Sequence, residues 1–505
     1  MPIQRFTASL DNTITNALKN GLQTRATGSN QGRADSLQVF SIYGQASGSD
    51  APEGKTIEKS RILVQFPVSA ISSSREAGNI PASGSVNFYL RMFNARHPFT
   101  VPTDFTLVVN PVSQSWQEGY GLDADTYTDV GVSNWVTAQS TSAGINYWTT
   151  QGGDYKTGSV AAQYPVTNEY YTYKQSFSSG IEDLELDVSN AVEDWINGEL
   201  SGNYGFGVFL TASQEDGSSR RSFYNKKFYS RSSEYFYKKP VIEARWEDFK
   251  TDDRGDFYLS STLAPSEDNL NKLYLYNYIK GTPKNIPVVL TGGLFVSVYT
   301  GTTGPSGEKL GLPQGGGVVS TGDVNIMGAF VSTGIYSCSF ATTSSVSSGE
   351  YLFDVWHSGS VEYFTGSGFT PKSLAQYNNN STDGWVLNIT NLKPNYATDE
   401  NARFRIFTRS QTYNPTIYTK ATTAIEPTIL REAYYKVTRQ LDGVVVIGYG
   451  TGSVKYTKLS YDASGSYFDL DMSNFESGYA YNINILSIDN GVTYEHPETF
   501  KFRVE

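Results

Sequence analysis

The chain has 505 residues, 18% of them charged, and a formal net charge of −11 at pH 7. This length predicts about two to four domains, and the 36 Tyr, 27 Phe and 47 Gly favour strands joined by turns. A single cysteine excludes an internal disulfide, and the sequence lacks both a secretory signal and the run of about 18 apolar residues that a membrane-spanning helix needs.

Residues 1–248 are predicted to form one β-sandwich. Apolar and polar residues alternate in Ile62–Phe66, in Leu184–Val188 and in Tyr204–Leu210, which is the pattern of strands buried on one face. Polar and glycine-rich stretches separate these runs. The pattern therefore favours short strands joined by turns over a helical domain.

One short helix is predicted between two of these strands, in Ser189–Gly198. Val192, Trp195 and Ile196 have the spacing of a helical apolar stripe. Asn190 and Glu193 have capping-box spacing, and Gly198 is expected to end the helix.

The end of this domain carries concentrated positive charge. Arg220–Arg245 holds eight Lys or Arg and two Glu, interleaved with aromatic residues, which is typical of single-stranded nucleic-acid sites. The aromatic spacing instead predicts a closing strand pair, Lys227–Ser230 and Val241–Trp246. Lys238 and Lys239 would then lie beside an exposed strand edge, where charge discourages edge-to-edge pairing. We therefore predict strands and no nucleic-acid site.

Several motifs of residues 1–248 occur in a characteristic order. They are "SRILVQF" (Ser60–Phe66), "WQEG" (Trp116–Gly119), the helix residues Asp187, Val188, Ser189, Val192 and Trp195, the pair Asn203 and Gly205, and the closing residues Ser230, Arg231, Glu234 and Pro240. In this order they resemble the DNRLRE-type β-sandwich module, with two residues inserted between Arg231 and Glu234. The resemblance implies a jelly-roll sandwich like that of carbohydrate-binding modules, without a ligand site that can be carried over.

The segment 249–271 is charged and rich in turn residues, which predicts a linker. It contains an Arg254–Gly255–Asp256 tripeptide, a sequence that can serve as a receptor motif. Because no disulfide holds this stretch in a loop, we interpret the tripeptide as a chance occurrence.

Two immunoglobulin-like sandwiches are predicted in 272–392 and 393–505, because short alternating strands recur between Gly- and Ser-rich turns. Tyr336–Phe340 places Cys338 on an apolar strand face, which indicates a buried core residue. Phe468–Met472 and Tyr481–Ile485 show the same alternation in the last domain.

No motif of a catalytic or metal site is apparent. The three histidines, His97, His357 and His496, lie in different predicted contexts and lack zinc-ligand or Ser-His-Asp spacing. Paired carboxylates such as Glu193–Asp194 are expected on the surface of any acidic protein. We therefore predict a protein that is not an enzyme and has no cofactor or metal.

The chain as a whole resembles virion structural proteins of tailed bacteriophages. The resemblance rests on serial Tyr-, Gly- and Ser-rich β-domains and on "KLSYDASGSYFDLDMSNF" (Lys458–Phe475), which is similar to the immunoglobulin-like ends of such proteins. It implies synthesis in the host cytoplasm and assembly on the capsid, the neck or collar, or the tail, with the immunoglobulin-like domains displayed outward. The implied partners are other virion proteins and copies of the chain in a symmetric homo-oligomer, with contact to surface glycans but to no nucleic acid or membrane.

Two alternatives stay open. The chain could be a carbohydrate-binding or adhesion protein of a bacterial surface, although that role predicts a signal or anchor, or it could be a phage host-attachment protein. A polysaccharide-degrading enzyme is disfavoured because no segment is left for a catalytic domain. For the virion protein, the predicted docking patch consists of the basic residues Arg220, Arg221, Lys226, Lys227, Lys238 and Lys239.

Overall fold

The structure, a computed structural model, describes residues 2–19, 21–47, 55–97, 101–126, 131–158, 169–219, 221–287, 293–318, 326–343, 346, 350–373, 384–412, 427–489 and 491–505. The chain forms two compact units, Pro2–Glu247 and Asp248–Glu505. Nearly all strand pairs within them are antiparallel, and the predicted all-β class with β-sandwiches in series is confirmed. None of the described helices has both the length and the apolar character that crossing a membrane requires.

Besides a 3-10 turn at Phe236–Lys238, the described residues of the first unit form strands and three short α-helices. They are β1 (Ile3–Thr7), β2 (Leu10–Thr15), β3 (Leu18–Lys19), β4 (Thr24–Arg25), β5 (Ser36–Ser47), β6 (Lys55–Gln65), α1 (Val68–Glu76), β7 (Asn87–Met92), β8 (Phe105–Pro111), β9 (Thr137–Thr141), β10 (Gly144–Tyr147), β11 (Tyr173–Phe177), β12 (Leu184–Asp187), α2 (Ser189–Asn197), β13 (Phe206–Leu210), α3 (Ala212–Glu215), β14 (Phe223–Tyr229) and β15 (Val241–Arg245).

Two sheets of this unit share one core. The smaller sheet has the order β1-β15-β7-β12, and the larger has the order β11-β8-β13-β6-β5-β14 with β2 paired to β6. Leu90 and Ile242 from the smaller sheet lie in the same buried cluster as Ile62, Val64 and Val208 from the larger one. Alternation along each strand directs these side chains inward, as the sequence predicts.

A second, smaller core covers the opposite face of β6. Leu63 points away from Ile62 and Val64 and packs with three buried indoles, those of Trp116, Trp135 and Trp148. Both faces of this strand are therefore buried. Arg61 shares the Leu63 face by alternation, so it lies beside the tryptophan-rich layer.

The prediction of a single helix in this unit is wrong, because α1 and α3 are also present. Helix α1 follows Pro67 and contains a run of serines, so its sequence carries only a weak apolar stripe, with Val68 and Ile71 buried. A tertiary contact supports it, since the guanidinium of Arg75 donates to both carboxylate oxygens of Glu193, at 2.7 and 2.6 Å.

This ion pair also overturns the predicted capping box of α2, because Glu193 points to Arg75 rather than back to the helix start. The residue before the helix is Val188, which makes no side-chain cap hydrogen bond. Gly198 ends the helix with φ of 77°, as predicted, since this left-handed conformation favours glycine.

The predicted pairing of the last two strands is also wrong. β14 lies at the edge of the larger sheet and pairs with β5, whereas β15 lies between β1 and β7 in the smaller sheet. The predicted position of Lys238 and Lys239, beside the exposed edge of a β14–β15 pair, is therefore wrong as well. The two strands separate because each completes a different layer of the sandwich.

Apart from single 3-10 turns, the regular elements in the described part of the second unit are strands. They are β16 (Asn271–Tyr276), β17 (Tyr278–Ile279), β18 (Thr282–Pro283), β19 (Phe295–Gly301), β20 (Ile326–Met327), β21 (Ala329–Ser332), β22 (Ile335–Phe340), β23 (Tyr351–Ser358), β24 (Val361–Thr365), β25 (Trp385–Ile389), β26 (Asn395–Tyr396), β27 (Asn401–Ser410), β28 (Ala433–Arg439), β29 (Val445–Ile447), β30 (Ser460–Asp462), β31 (Gly465–Asp471), β32 (Ala480–Asp489), β33 (Val492–Glu495) and β34 (Phe500–Val504).

The first sandwich of this unit packs the sheet β16-β22-β21 against the sheet β20-β19-β23-β24. Leu273 and Tyr336 from one sheet share a core with Val296 and Trp356 from the other. Sheets of three and four antiparallel strands agree with the predicted immunoglobulin-like sandwich. The thiol of Cys338 is buried in this core as predicted, and burial raises its pKa.

The second sandwich packs the sheet β25-β27-β31-β30 against the sheet β26-β34-β32-β28-β29, with β33 paired to β32. Aromatic rings join the two sheets. Tyr435 stacks on Phe468 at 4.4 Å between ring centroids, and Phe404 lies 5.9 Å from Phe502. The core of this sandwich is therefore largely aromatic.

The segment 249–271 is hydrogen-bonded to both sandwiches rather than being an exposed connection. The backbone N–H of Asp252 donates to the carbonyl of Tyr461 in β30, at 3.0 Å. The N–H of Leu259 donates to the carbonyl of Lys372 in the other sandwich, at 2.8 Å. Charged side chains of this segment, those of Arg254 and Asp256, form ion pairs within the second unit.

Candidate functional site

The six residues of the predicted docking patch do not form one surface. Arg220 lies outside the described residues. Arg221 is exposed, donates to the carbonyl of Thr103 and pairs with Asp104 at 3.2 Å. Lys226 is fully buried, whereas Lys227, Lys238 and Lys239 are partly exposed.

The ammonium of Lys226 is enclosed by the first unit. It donates to Asn94 Oδ1 at 2.7 Å, to the carbonyl of Gly180 at 2.9 Å and to the carbonyl of Glu182 at 2.7 Å. The rings of Phe177 and Phe228 lie 5.0 and 5.1 Å from it. Burial lowers the pKa of Lys226 to about 8. Lys226 is therefore a structural residue and cannot contact a partner.

The sequence pattern of β14 indicates that Lys226 is buried, although its charge suggests an exposed position. In β14 the side chains of Tyr224, Lys226 and Phe228 alternate inward, and those of Lys227 and Tyr229 alternate outward. Tyr224 and Phe228 are buried and lie two residues before and after Lys226. They therefore indicate that the lysine side chain points to the same buried face of the strand. The acceptors Asn94, Gly180 and Glu182 come from distant parts of the chain and leave no local signal.

Around the remaining lysines, Lys227, Lys238 and Lys239, the chain carries two exposed aromatic side chains, and Lys238 also contacts a partly exposed aromatic ring. Tyr235 and Phe236 are 50% and 48% exposed, and the Tyr235 ring packs 5.2 Å from that of Tyr229. The ammonium of Lys238 lies 5.3 Å from the ring of Phe93, whose carbonyl accepts the N–H of Tyr229. We call this set the aromatic-lysine surface; it comprises Lys227, Tyr229, Tyr235, Phe236, Lys238 and Lys239.

Three charged residues, two of them in the motifs of the family resemblance, meet in one buried cluster. Arg231 Nε donates to Glu118 Oε1 at 2.7 Å, and the backbone N–H of Arg231 donates to Asp11 Oδ2 at 2.6 Å. The N–H of Asp11 donates to Glu118 Oε1 at 2.9 Å. The cluster ties β2, the "WQEG" segment and the turn after β14 together, so it joins the segment that carries Trp116 to strands of the larger sheet.

Because Asp11 is buried in this cluster, we predict that the stability of the first unit depends on pH. Burial raises the pKa of Asp11 from 3.8 to about 7, so the folded chain binds more protons than the unfolded chain between these values. Its contribution to the free energy of unfolding therefore falls as pH rises through this window. We expect wild type to lose about 1–3 kcal/mol relative to Asp11→Asn between pH 4 and pH 8, measured by urea unfolding. The exposed Asp104→Asn is the control, and an equal loss in both variants would contradict the assignment.

The Arg254–Gly255–Asp256 tripeptide is not available to a receptor. The side chain of Arg254 is 8% exposed and pairs with both Asp252 and Asp354. Asp256 pairs with Arg431, whose Nε lies 2.8 Å from its Oδ2. Both charged residues of the tripeptide are thus used within the second unit.

A polar pocket opens beside β6 in the first unit, with a volume of about 600 Å³. Its lining combines Arg61 with the segments Ser113–Gln114, Thr149–Thr150 and Gly153–Tyr155. The three segments, unlike Arg61, belong to the part of the chain that forms the tryptophan-rich layer around Trp116 and Trp148. The pocket therefore exists because this layer packs on the outer face of the larger sheet.

Arg61 anchors the base of the pocket. Its guanidinium donates to Glu215 Oε1 and Oε2 at 3.0 and 2.6 Å and to the carbonyl of Gly152 at 3.1 Å. It also lies over the rings of Phe209, Tyr155 and Trp135, at 5.0, 5.6 and 5.6 Å. The positive charge of Arg61 is therefore compensated within the protein.

The rim of the pocket is held by its own hydrogen bonds. The carboxylate of Asp154 accepts the N–H groups of Thr149 and Thr150, at 2.8 and 2.9 Å. The hydroxyl of Tyr155 donates to the carbonyl of Gly152 at 2.7 Å. Glycine at 207 makes room for the ring of Tyr155, because a Cβ there would lie 2.0 Å from it.

The histidines lie apart. His357 and His496 each pair through Nε2 with a serine hydroxyl, at 2.7 Å from Ser297 and 2.9 Å from Ser487, and His97 accepts the N–H of Lys227. Within the described ranges, no group of three or more His, Cys, Asp or Glu side chains is placed to hold a metal ion.

No family model matches this chain, and no curated protein sequence matches it either. Among solved structures, the chain is similar to a marsupial T cell receptor, at 9% identity over 50% of this chain and 71% of that chain, with a TM-score of 0.16. It is also similar to the N-terminal Ig1-2 module of the Drosophila receptor protein tyrosine phosphatase DLAR, at 8% identity over 47% of this chain and 92% of that chain, with a TM-score of 0.14.

The tandem Ig repeats of Dlar give nearly the same values: 8% identity, 47% of this chain, 89% of that chain and a TM-score of 0.14. The β-sandwich fold is established by the sheets of the chain itself, independently of these similarities. The resemblances to DNRLRE modules and to tailed-phage proteins stay predictions.

Proposed function

We propose that the chain is a non-enzymatic structural component of a tailed-phage virion, which assembles on the capsid, the neck or collar, or the tail. The aromatic-lysine surface is the proposed docking site of the first unit. Its proposed partners are other virion proteins and further copies of the chain in a symmetric homo-oligomer. The immunoglobulin-like sandwiches of the second unit would be displayed outward.

The observation that supports the proposal is a pair of half-exposed aromatic side chains, Tyr235 and Phe236, beside Lys238 and Lys239. Aromatic anchors dominate the energetics of protein interfaces, and flanking charge provides electrostatic complementarity. A stable contact would bury at least about 1,000 Å² in total.

The first test locates the chain. Immunogold electron microscopy, with an antibody against the recombinant chain, is carried out on particles purified from a lysate of the source. Gold clustered at the head, neck or tail is the expected result. Unlabelled particles with the antigen left in the cell fraction would contradict the virion proposal and favour a role on the bacterial surface.

The second test addresses the surface. We expect Y235A/F236A/K238E/K239E to lower the amount of chain per purified particle by roughly tenfold or more, since interface hot spots contribute about 2 kcal/mol or more each. The matched control is Y494A/K501E in the last sandwich, where Tyr494 is 48% exposed and Lys501 is exposed. Normal incorporation of the first variant would exclude this surface as the docking site.

A further inference from the structure

We propose that the side chains of Lys226 and Asn94 in the first unit become joined by an amide bond. This modification goes beyond the proposed function and does not depend on it, since neither residue belongs to the aromatic-lysine surface. The bond would connect β14 covalently to the segment that follows β7, between residues 132 positions apart in the sequence.

The structure holds the two groups in contact before any reaction. The Lys226 ammonium donates to Asn94 Oδ1 at 2.7 Å, so Nζ lies beside the carboxamide. It also donates to the carbonyls of Gly180 and Glu182, at 2.9 and 2.7 Å. When the ammonium loses the proton that faces Asn94, these carbonyls still accept the other two N–H groups, and the lone pair is directed at the carboxamide. The site therefore positions an amine nucleophile against a carbonyl carbon.

The surroundings favour a neutral amide over an ammonium. Lys226 is fully buried, and its ammonium lies 5.0 and 5.1 Å from the rings of Phe177 and Phe228. Burial lowers the pKa of Lys226 to about 8, so about half of the chains carry the neutral amine at pH 8. Amide formation removes the buried charge and transfers it to water, where it is better solvated.

The reaction is an exchange of one amide for another. A bond forms between Lys226 Nζ and Asn94 Cγ, and the bond between Cγ and Nδ2 breaks. One proton passes from Nζ to Nδ2, which leaves as ammonia and takes up in water the proton that the lysine had released. The side chain of Asn94 is partly exposed, so the ammonia has a path to solvent.

A carboxylate lies next to the reacting pair. Asp183 Oδ1 accepts the backbone N–H of Asn94 at 2.7 Å. The negative charge of Asp183 also acts on Lys226, where it opposes the effect of burial on the pKa. Asp183 is therefore placed to take the proton from the ammonium and to return it to the leaving nitrogen.

The test is the intact mass of the purified full chain during incubation at pH 8. We expect a species lighter by one ammonia to accumulate, and a tryptic digest to contain a branched peptide that joins Asn94 to Lys226. Asn94→Ala should form neither. The matched control is Asn225→Ala, next to Lys226 in β14, whose side chain accepts from Gln38 Nε2 at 3.0 Å; it should react like wild type.

Asp183→Asn is a second variant, which keeps both reacting groups and should slow the accumulation by roughly 10²-fold. An unchanged mass of the wild-type chain throughout the incubation would overturn the proposal. Loss of ammonia that maps to another asparagine, such as Asn197 before Gly198, would overturn it too. Equal rates in wild type and Asp183→Asn would overturn the role of Asp183. The location of the chain on particles is measured separately by immunogold labelling, so failure here is distinguishable from failure of the virion proposal.

Discussion

Replacing Arg254 with methionine should lower the free energy of unfolding of the second unit by about 3–5 kcal/mol, the effect of removing one partner from a buried ion pair. Its guanidinium lies between Asp252, 5% exposed, and Asp354, fully buried. It also donates to the carbonyl of Tyr274 at 2.9 Å. Without the arginine, two buried carboxylates lose their compensating charge.

The loss should depend on pH. Burial raises the pKa of Asp252 from 3.8 to about 6, even though Arg254 opposes the shift. In the variant this opposition is gone, so the folded chain takes up the proton more readily than in wild type. Protonation removes the uncompensated charge, and the difference between Arg254→Met and wild type should therefore be smaller at pH 5 than at pH 8.

Hydrogen–deuterium exchange in increasing urea, followed by mass spectrometry of peptides from Asp248–Glu505, measures this difference locally in the full chain. Arg503→Met is the matched control, because its side chain is 51% exposed and its nearest carboxylate, that of Glu505, is 3.8 Å away. The control should change stability by less than about 0.5 kcal/mol. Equal effects in the two variants would show that the Arg254 network does not stabilise the unit.

Lys226→Met should destabilise the first unit by about 2–4 kcal/mol, since it removes the donor from three acceptors, one buried and two partly buried. Methionine has a similar length and fills the same space between the rings of Phe177 and Phe228. What it cannot replace are the hydrogen bonds to Asn94 Oδ1, to the Gly180 carbonyl and to the Glu182 carbonyl. The loss therefore reports unsatisfied polar groups rather than a cavity.

The control is Lys227→Met, the next residue of β14, which points outward and is partly exposed. It should shift stability by less than about 0.5 kcal/mol. Exchange of peptides from Pro2–Glu247 is the measurement, and peptides from the second unit should be unaffected. If the two variants are equally stable, the ammonium of Lys226 is not held by its three acceptors.

The contacts that bury Arg254 and Lys226 could not be predicted from the sequence, whereas the burial of many apolar residues could. The period-two pattern correctly identifies Ile62, Val64 and Val208 as core residues, and it correctly buries Cys338. Charge correctly marks Arg220–Arg245 as unusual, but it wrongly suggests that Lys226 belongs to an exposed patch. Whether a lysine can be buried depends on acceptors about 45 to 130 residues away in sequence, and no local pattern contains them.

The sequence by itself therefore determined the all-β class, the strands with clean alternation and the end of α2 at Gly198. These follow from backbone geometry and from the periodicity of apolar side chains, which are local properties. Only the tertiary structure decided the separation of β14 from β15, the second core under the three tryptophans, the Arg254 network and the polar pocket. Each of these is made by contacts between residues far apart in the chain, whose partners the linear pattern does not specify.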